Sequence, residues 1–197
     1  IWVDIYLASG TGVGTASIFK GTITYNRTWM DFADTDGPAI GKRLLHDAEF
    51  AVVAAGSNER TSIPARPGTT GGHNDKAGRR MISNIGCEDC CGALWQWLDE
   101  QSYRYNANTH SHTENATAVY TQNAATGDAS SVPGSGFIIL PGDRGSTRIQ
   151  DTTGDVKLSA GGAWGEDRDA GSRCRSSLDF RWTVAPHIGA RFAADPL

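Results

Sequence analysis

The sequence predicts an α+β fold made of short strands, one or two helices and long irregular loops. Three observations favour this class. Segments rich in β-branched and aromatic residues occur near both ends of the chain, one segment in the first third has helical apolar spacing, and polar stretches separate them. The 24 glycines among 197 residues favour many turns over a helical bundle. With 39% hydrophobic and 20% charged residues, the chain has the composition of a folded protein that can bury a core.

The N-terminal strands are predicted within residues 1–30. Trp2–Leu7 alternates apolar and polar residues as a half-buried strand does. Ser17–Trp29 has the β-branched and aromatic content of one or two further strands. Gly10–Gly14 separates these segments and lacks the lysine and hydroxyl residue of a phosphate-binding loop. We therefore divide the chain into N-terminal strands over 1–30, an accessory part of the same domain, and a main domain over 31–197.

The clearest predicted helix follows Asp36-Gly-Pro38. Asp36 suits an N-cap and Pro38 the first turn. An apolar stripe at helical spacing continues to Gly56, which ends the helix; the stripe consists of Leu44, Leu45, Ala48, Val52 and Ala55, widened by Phe50 and Val53. The pattern predicts a well-buried helix over about residues 41–55.

Loops and further strands alternate after this helix. Residues 62–80 are rich in Gly, Pro, Thr and Arg and are predicted to form a long loop, as are the polar residues 106–135. The segment 94–98 alternates aromatic residues as a packed strand does. Residues 136–140, 156–159 and 189–193 are predicted as additional strands.

Charge and hydropathy exclude several classes of function. The formal net charge is −4 and no Lys/Arg-rich run occurs, so a dedicated nucleic-acid binder is not expected. No apolar run reaches the roughly 18–20 residues of a membrane span, and Ile1–Ala8 lacks the features of a signal peptide. His110 and His112 lie in a polar loop, where solvation is commoner than metal binding. We expect no cofactor and no metal.

The four cysteines are Cys87, Cys90, Cys91 and Cys174, three of them crowded into one short segment. A secreted disulfide framework spreads its cysteines along the chain, so we interpret these as free thiols packed as small hydrophobic residues. Two alternatives stay open. One is a zinc site on the Cys-x-x-Cys pair, which needs more ligands. The other is one disulfide between Cys174 and one of the other three.

The C-terminal segment combines residues of two kinds. Rigid or bulky residues recur in it and are interpreted as scaffold: Gly161, Gly162, Trp164, Arg173, Arg175, Arg181, Trp182, Gly189 and Arg191. Between them lie stretches with neither helical nor strand period. A rigid frame that holds irregular loops is typical of a binding surface.

Several motifs in this order resemble one fold. Lys42–Gly56 resembles the helix segment of the formylglycine-generating-enzyme type of C-type lectin fold, and Gly86–Trp97 resembles its Gly…Gly-x-x-Trp-Glu-Trp motif. Gly161–Trp164, Arg173 with Arg175, and Gly189–Phe192 resemble its C-terminal motifs. Within that superfamily the chain is most similar to the variable proteins of diversity-generating retroelements, on the residues Glu59–Ile63, Glu88-Asp89 and Ile188–Arg191. The resemblance covers about residues 38–197 and assigns Trp95 and Trp97 to the scaffold.

The resemblance implies that residues of about 160–190 vary between copies of the gene. In such systems template adenines are copied with errors, so an Asn codon AAY becomes NNY, which cannot encode Lys, Gln, Glu, Met or Trp. Outside the scaffold, residues 163–187 contain no Lys, Gln or Met, and no Asn follows Gln150. Glu166 departs from this rule and is either a fixed residue or the product of another codon type.

The resemblance also implies a binding function without catalysis. Candidate contact residues lie between the scaffold positions, with Phe180 as the aromatic anchor; they are Ala163, Gly165, Asp167, Arg168, Ser176, Ser177, Asp179, Phe180, Thr183, Val184, Ala185 and His187. The implied partner is a protein or glycan on the surface of a target cell. The chain itself is expected on a virion tail tip or on a cell surface. Relatives include monomers and trimers, so the oligomeric state stays open.

Two other functions stay open. An oxidase of the formylglycine-generating type would need a pair of reactive cysteines in the C-terminal segment, which holds only Cys174. A static carbohydrate-binding domain dependent on calcium would need a cluster of oxygen ligands, whereas Glu114, Asn115 and Asp143 are isolated in the sequence.

Overall fold

The computed structural model describes residues 1–99, 154–176 and 178–196, together with the backbone of five strands between 103 and 148. The described part contains short strands and a few helical turns, so the predicted α+β class is confirmed. In chain order the strands are β1 (Trp2–Val3), β2 (Arg43–Leu44), β3 (Trp95–Trp97), β4 (Tyr103–Asn106), β5 (Ser111–Glu114), β6 (Ala118–Thr121), β7 (Phe137–Ile139), β8 (Ser146–Arg148), β9 (Gly154–Val156), β10 (Ser159–Gly161), β11 (Gly171–Ser176), β12 (Ile188–Gly189) and β13 (Phe192–Ala194).

The two ends of the chain meet in a three-stranded sheet. Its order is β1-β13-β2, with both neighbours antiparallel to β13. Beyond β1, the amide of Ala8 donates to the carbonyl of Ala190 at 2.9 Å, and Thr24 donates to Ala8 at 2.9 Å. Residues 1–30 therefore hydrogen bond directly to the C-terminal strands.

A six-stranded sheet forms the centre of the molecule. Its order is β12-β3-β10-β11-β8-β7, with parallel pairs at β12–β3 and β11–β8. The predicted strand at 94–98 is confirmed as β3, which is buried on both faces. Because β10, β11 and β12 all belong to this sheet, the segments between them are loops that leave and re-enter one rigid framework.

A four-stranded antiparallel sheet has the order β6-β5-β4-β9. Strands β5 and β6 lie within residues 106–135, where the sequence predicts a loop, so that prediction is wrong for these residues. Strand β5 carries only polar residues, and the apolar run of β6 is three residues long, so a hydrophobic-period argument did not find either strand. His110, Asn115 and Asp143 lie outside the described residues.

The predicted helix over 41–55 is mostly wrong. A π-helical turn occupies Asp31–Asp36 and a 3-10 turn Pro38–Ile40, and Gly41 then takes a left-handed φ of 69°. Strand β2 follows, so the α-helix α1 spans only Asp47–Val53. Leu44 is buried in its pairing with β13, and Leu45, which follows β2, packs in a core cluster with Ala193, so neither belongs to a helical stripe.

The start of α1 is fixed by charged side chains. The amide of His46 donates to a carboxylate oxygen of Glu49 at 2.9 Å. Arg43 donates to both oxygens of the same carboxylate, and this hydrogen bonding lowers the pKa of Glu49 to about 2. Phe50 and Val53 are buried as predicted, whereas Val52 is 65% exposed. The apolar face of α1 is thus narrower than the sequence indicates.

The hydrophobic core lies between β3, the C-terminal strands and the π-helical turn. Trp97, Phe32 and Phe192 are fully buried, and the two phenyl rings lie 6.3 Å apart. Arg191 is also buried, and its guanidinium donates to the backbone carbonyls of Asp4, Ile5 and Glu88. The buried guanidinium therefore ties the segment after β1 to the turn before β3, since each of these three bonds ends on a main-chain oxygen.

The four cysteines are free and buried, as the hydrophobic interpretation predicts. Cys87, Cys90 and Cys91 pack with Leu45 and Phe50. Among the described residues no group of three or more His, Cys, Asp or Glu side chains is arranged to hold a metal ion. In the same part of the chain, no helix is long and apolar enough to cross a membrane.

Candidate functional site

Two loops leave the six-stranded sheet in its C-terminal half. The first, residues 163–169, joins β10 to β11 and is called the anchored loop. The second, residues 178–187, joins β11 to β12 and is called the display loop. Both contain residues that the sequence assigns to a contact surface, so their attachment to the framework decides which side chains are free to vary.

The display loop is attached to the framework through its backbone. Four of its carbonyl oxygens accept hydrogen bonds from main-chain amides of other segments. The amide of Lys157 donates to the carbonyl of Asp179 at 3.0 Å, and that of Trp29 donates to Arg181 at 3.0 Å. The amide of Asn26 donates to Ala185 at 3.2 Å, and that of Trp95 donates to His187 at 2.9 Å. A further bond of 2.8 Å, from the amide of Thr183 to the carbonyl of Phe180, closes the turn at the tip. None of these bonds depends on the identity of a display-loop side chain.

Two aromatic rings stack at this tip. The rings of Phe180 and Trp182 lie nearly parallel, with centroids 5.2 Å apart and an interplanar angle of 5°. Phe180 is half-buried, whereas Trp182 is 50% exposed. Because Phe180 covers one face of the indole, the exposed half of Trp182 is its opposite face and its edges. Val184 is also exposed, so the tip presents apolar surface to solvent.

The anchored loop has one main-chain bond to the framework at its start, from the amide of Trp164 to the carbonyl of Ala93 at 3.1 Å, and beyond it the loop is attached through its side chains. The indole nitrogen of the buried Trp95 donates to Glu166 Oε1 at 3.3 Å. The buried hydroxyl of Ser62 lies 2.6 Å from both Asp167 Oδ1 and the carbonyl oxygen of Trp164. Asp167 also has a left-handed φ of 45°, which costs free energy for a residue other than glycine. Replacing Glu166 or Asp167 therefore removes an attachment of the loop itself.

The electrostatics of the anchored loop reinforce this attachment. Lys76 Nζ lies 2.5 Å from Asp167 Oδ1, and the ion pair links the loop to the 62–80 segment. This hydrogen bond and that of Ser62 lower the pKa of Asp167 below its ordinary value, despite some burial. Asp167 is therefore ionised and paired at neutral pH.

The structure brings most of the predicted contact residues to the surface. Gly165, Asp167, Arg168 and Val184 are exposed, and Asp179, Phe180, Thr183 and His187 are half-buried. Ser177 lies outside the described residues. Whether any of these side chains contacts a ligand stays a prediction.

Three predicted contact residues are buried, which corrects the expectation that they face solvent. Ala163 forms a bridge with Ala93 at the edge of the core, and Ser176 pairs with Ser159 inside the central sheet. Ala185 packs in the main core cluster. The sequence has no regular period here, so it could not separate inward from outward positions.

Most of the predicted scaffold residues are buried or half-buried. Trp95, Trp97, Gly161, Gly162, Gly189 and Arg191 are buried, and Trp164 is half-buried against three core clusters. Gly161 has a φ of 92°, and a Cβ there would lie 2.3 Å from the carbonyl oxygen of Cys90. Arg175 is half-buried, pairs with Asp47 and lies 5.0 Å from the ring centre of Phe50.

Three scaffold predictions need correction because the side chains are exposed. Arg173 points outward from β11 between two buried neighbours, as alternation along a strand requires. Arg181 and Trp182 lie in the turn of the display loop, whose hydrogen bonds to the framework are made by its backbone. The scaffold is therefore limited to the buried and half-buried members of the predicted set, and Trp182 belongs to the exposed surface.

The sequence analysis missed Trp29 and Lys157, which form the wall behind the display loop. The Lys157 ammonium lies 3.6 Å from the centre of the Trp29 ring, and the Trp29 indole donates to the carbonyl of Leu98 at 2.8 Å. Both residues also donate their amides to the display loop. They are 128 positions apart, and no local pattern connects them.

Comparison with known proteins gives a structural match and no sequence match. No family model matches the chain, and no curated protein matches it. The solved structures that match include the M1, U1 and I1 variants of the Major Tropism Determinant, each at a TM-score of 0.62 and 22%, 22% and 23% identity, respectively.

Each match covers 98% of this chain and 50% of the matched chain, so the chain spans about half the length of those structures. At this identity the likeness concerns the fold. The α+β chain thus has, over nearly its whole length, the fold that the Major Tropism Determinant variants share.

Proposed function

We propose that this chain is a receptor-binding variable protein of a diversity-generating retroelement, with a C-type lectin fold of the formylglycine-generating-enzyme type. Its partner is a protein or glycan on the surface of a target cell, and its location is a virion tail tip. The matched structures support this proposal because they are variants of a tropism determinant. The backbone attachment of the display loop carries the argument.

A surface whose residues differ between copies of the gene must keep the same backbone shape whatever side chains it carries. The display loop meets this requirement, since four of its carbonyls accept bonds from amides of the framework. Substituting Phe180, Thr183 or Val184 leaves those donors and acceptors in place, so the chemistry of the surface changes while the path of the backbone is kept. An ordinary side-chain-anchored loop would lose attachments with each substitution.

The exposed residues of the display loop determine which ligands this version of the surface can bind. Phe180 and Trp182 provide a stacked aromatic surface, and aromatic residues carry much of the free energy in protein interfaces. Trp is not encoded by an NNY codon, so within the proposed scheme Trp182 is constant and Phe180 variable. A constant indole beside changing neighbours would supply apolar contact area to every version of the surface.

The same rule gives Glu166 a role. Glu is not encoded by NNY either, and Glu166 accepts a hydrogen bond from the buried Trp95. We assign it to the scaffold as a fixed residue. The candidate variable positions that remain exposed or half-buried are Gly165, Arg168, Asp179, Phe180, Thr183, Val184 and His187, with Asp167 limited by its ties to Ser62 and Lys76.

The oxidase alternative is not supported by the geometry of its required thiol. Cys174 is the only cysteine of the C-terminal segment, and it is fully buried in β11. A peptide substrate would have to reach a side chain inside the central sheet. We therefore favour recognition over catalysis.

The flanking DNA provides the direct test of the retroelement. We expect a near-repeat of the codons for residues 160–190 that differs from the gene only at template adenines, beside a reverse transcriptase gene. A repeat whose differences fall at other bases would contradict the proposal. So would a complete neighbouring sequence without any repeat, which would favour a static carbohydrate-binding domain.

Paired libraries test the physical basis on the protein itself. One library randomises Phe180, Arg181, Thr183 and Val184; the matched control randomises the four anchored-loop positions 165–168. Each is displayed on yeast and sorted for resistance to protease. We expect most display-loop variants and few anchored-loop variants to survive, and equal surviving fractions would contradict the assignment of the display loop.

A further inference from the structure

Residues outside the segment expected to vary lie directly beside the display loop. The amide of Asn26 donates to the carbonyl of Ala185 at 3.2 Å. The amide of Trp29 donates to the carbonyl of Arg181 at 3.0 Å. Residues 25–29, called the flanking segment, therefore run along the display loop at the distance of one hydrogen bond. Because Asn26 is exposed, a molecule that covers the display loop also meets this segment.

A cation is stacked on the first residue of the flanking segment. The Cζ atom of Arg66 lies 4.9 Å from the centre of the Tyr25 ring, which is a cation–π contact. Tyr25 is half-buried against a small core cluster, whereas Arg66 is exposed. The ring thus holds the guanidinium at the surface, next to Asn26 and its bond to the display loop.

The donors of the Arg66 guanidinium have no partner within the described part of the chain, where it makes neither an ion pair nor a hydrogen bond. Other arginines are committed, since Arg43 pairs with Glu49 and Arg175 pairs with Asp47. A planar guanidinium that stacks on a ring still presents its N–H edge. That edge binds a carboxylate through two parallel hydrogen bonds.

The uncommitted charge on this surface is positive, although the formal net charge of the chain is −4. Asp167 of the anchored loop pairs with Lys76, and Asp179 of the display loop also has a partner within the chain. Arg181, at the other end of the flanking segment, is exposed and forms no ion pair with a described residue, as is the case for Arg66. Complementary charge therefore favours a partner that carries carboxylates.

We propose that the recognition surface extends from the display loop onto Tyr25, Asn26 and Arg66, and that the Arg66 guanidinium binds a carboxylate of a protein partner. The inference rests on the function proposed above and narrows its partner to a protein that carries acidic residues beside an apolar patch.

A protein fits this surface better than an acidic glycan does. Trp182 and Val184 are exposed and lie in the chain between Arg181 and Ala185, the two points where the flanking segment is attached. The apolar centre of the surface is thus bordered by Arg181 at one end and by Arg66 at the other. Aromatic and arginine side chains are enriched together in protein interfaces.

The site divides recognition between two kinds of residue. Arg66 lies outside the segment expected to vary, so each version of the surface would keep the same attraction for carboxylates. The display loop would then select among acidic protein targets through its apolar side chains. Attraction between opposite charges raises the rate of association, and salt weakens that attraction.

Peptide selection tests the site with a defined probe. A random peptide library on filamentous phage is sorted against the immobilised chain, and the selected peptides are synthesised with a fluorescent label for anisotropy titration. We expect these peptides to combine Asp or Glu with aromatic or aliphatic residues. The variant Arg66→Gln should weaken their binding about tenfold or more, because hydrogen bonds to a charged group contribute that much.

The variant Lys20→Gln is the matched control, because it removes the same charge from the other end of the same pair of segments. The amide of Ile23 donates to the carbonyl of Gly68, and that of Lys20 donates to Thr70. Lys20 is therefore five residues from Tyr25 along an extended segment, or about 16 Å. Its loss should change the affinity by less than about twofold, since salt screens charges at this distance.

Three results would overturn the proposal. Binding that Trp182→Ala abolishes and Arg66→Gln leaves intact would confine recognition to the display loop, and the proposed function would stand. A selection that yields no acidic peptide would exclude the protein partner; binding of sialylated oligosaccharides that depends on Arg66 would then identify an acidic glycan. Peptides that bind both variants as tightly as the wild-type chain would count against the proposed function as well.

Discussion

The anchored loop and the display loop leave the same sheet but are held in different ways. The anchored loop depends on Glu166 and Asp167, whose carboxylates accept hydrogen bonds from Trp95, Ser62 and Lys76. The display loop is attached by four carbonyls that accept bonds from main-chain amides. Side-chain attachment fixes the sequence of a loop, whereas backbone attachment fixes its path and leaves the sequence free.

This difference separates two tasks that one surface must perform. The anchored loop covers Trp95 and the edge of the core, so its residues serve stability. The display loop presents Phe180, Trp182 and Val184 to solvent, so its residues can serve recognition. Variation concentrated in the display loop would change binding with little effect on folding.

The largest expected effect comes from the framework beneath both loops. Trp97→Ala removes a fully buried indole from the main core cluster, and we expect a loss of about 3–5 kcal/mol in the free energy of unfolding. Urea denaturation followed by circular dichroism measures it. A loss below that of Phe180→Ala would show that the loops, and not the central sheet, carry the stability.

The second largest loss of stability is expected from removing an anchored-loop side chain. Glu166→Ala leaves the indole N–H of buried Trp95 without its acceptor, and we expect a cost of about 1–3 kcal/mol. The neighbouring Arg168→Ala, at an exposed position, is the control and should change stability by less than about 0.5 kcal/mol. Equal costs in the same denaturation experiment would remove the distinction between the loops.

Loss of a display-loop side chain is expected to be smaller. Phe180→Ala removes the ring that stacks on Trp182 but no framework hydrogen bond. We expect less than about 1 kcal/mol, because an aromatic pair at a surface contributes little more. The midpoint of thermal unfolding should change only slightly. A drop as large as that of Trp97→Ala would contradict the backbone attachment of the loop.

The smallest effect is expected from acidification, which should destabilise the anchored loop more than the display loop. The pKa of folded Asp167 is lowered by Lys76 and Ser62, so its stabilising contribution is present above the ordinary Asp range and is lost as the pH falls through the lowered value. Amide exchange, corrected for its intrinsic pH dependence, should show that protection at 163–169 falls as the pH is lowered below the ordinary Asp range, with a smaller change at 180–187. The variant Asp167→Asn should not show this acid response; if it does, another group is responsible.

The local patterns that predicted correctly were those set by burial. The alternating aromatics of β3 indicated a packed strand, and the cysteines indicated buried thiols, since both depend on side-chain hydrophobicity. The helix over 41–55 failed because Leu44 reaches the core by pairing with β13, about 150 positions away. Apolar spacing alone cannot separate these two routes to burial.

The candidate site was predicted as a region and not residue by residue. Phe180, Thr183 and Val184 are accessible as expected, whereas Ala163, Ser176 and Ala185 are buried. Trp182 was assigned to the scaffold because of its size, yet it lies exposed against Phe180. In an irregular loop, the direction of each side chain depends on distant hydrogen-bond donors that no nearby residue reveals.

The sequence by itself determined the α+β class, the framework glycines and tryptophans, and the C-terminal position of the irregular surface. These follow from composition, positive-φ requirements and hydrophobicity, which act locally. Only the tertiary structure decided which loop is held by side chains and which by its backbone. Amides of Asn26, Trp29, Trp95 and Lys157 converge on the display loop from separate parts of the chain, and such convergence exists only once the chain has folded.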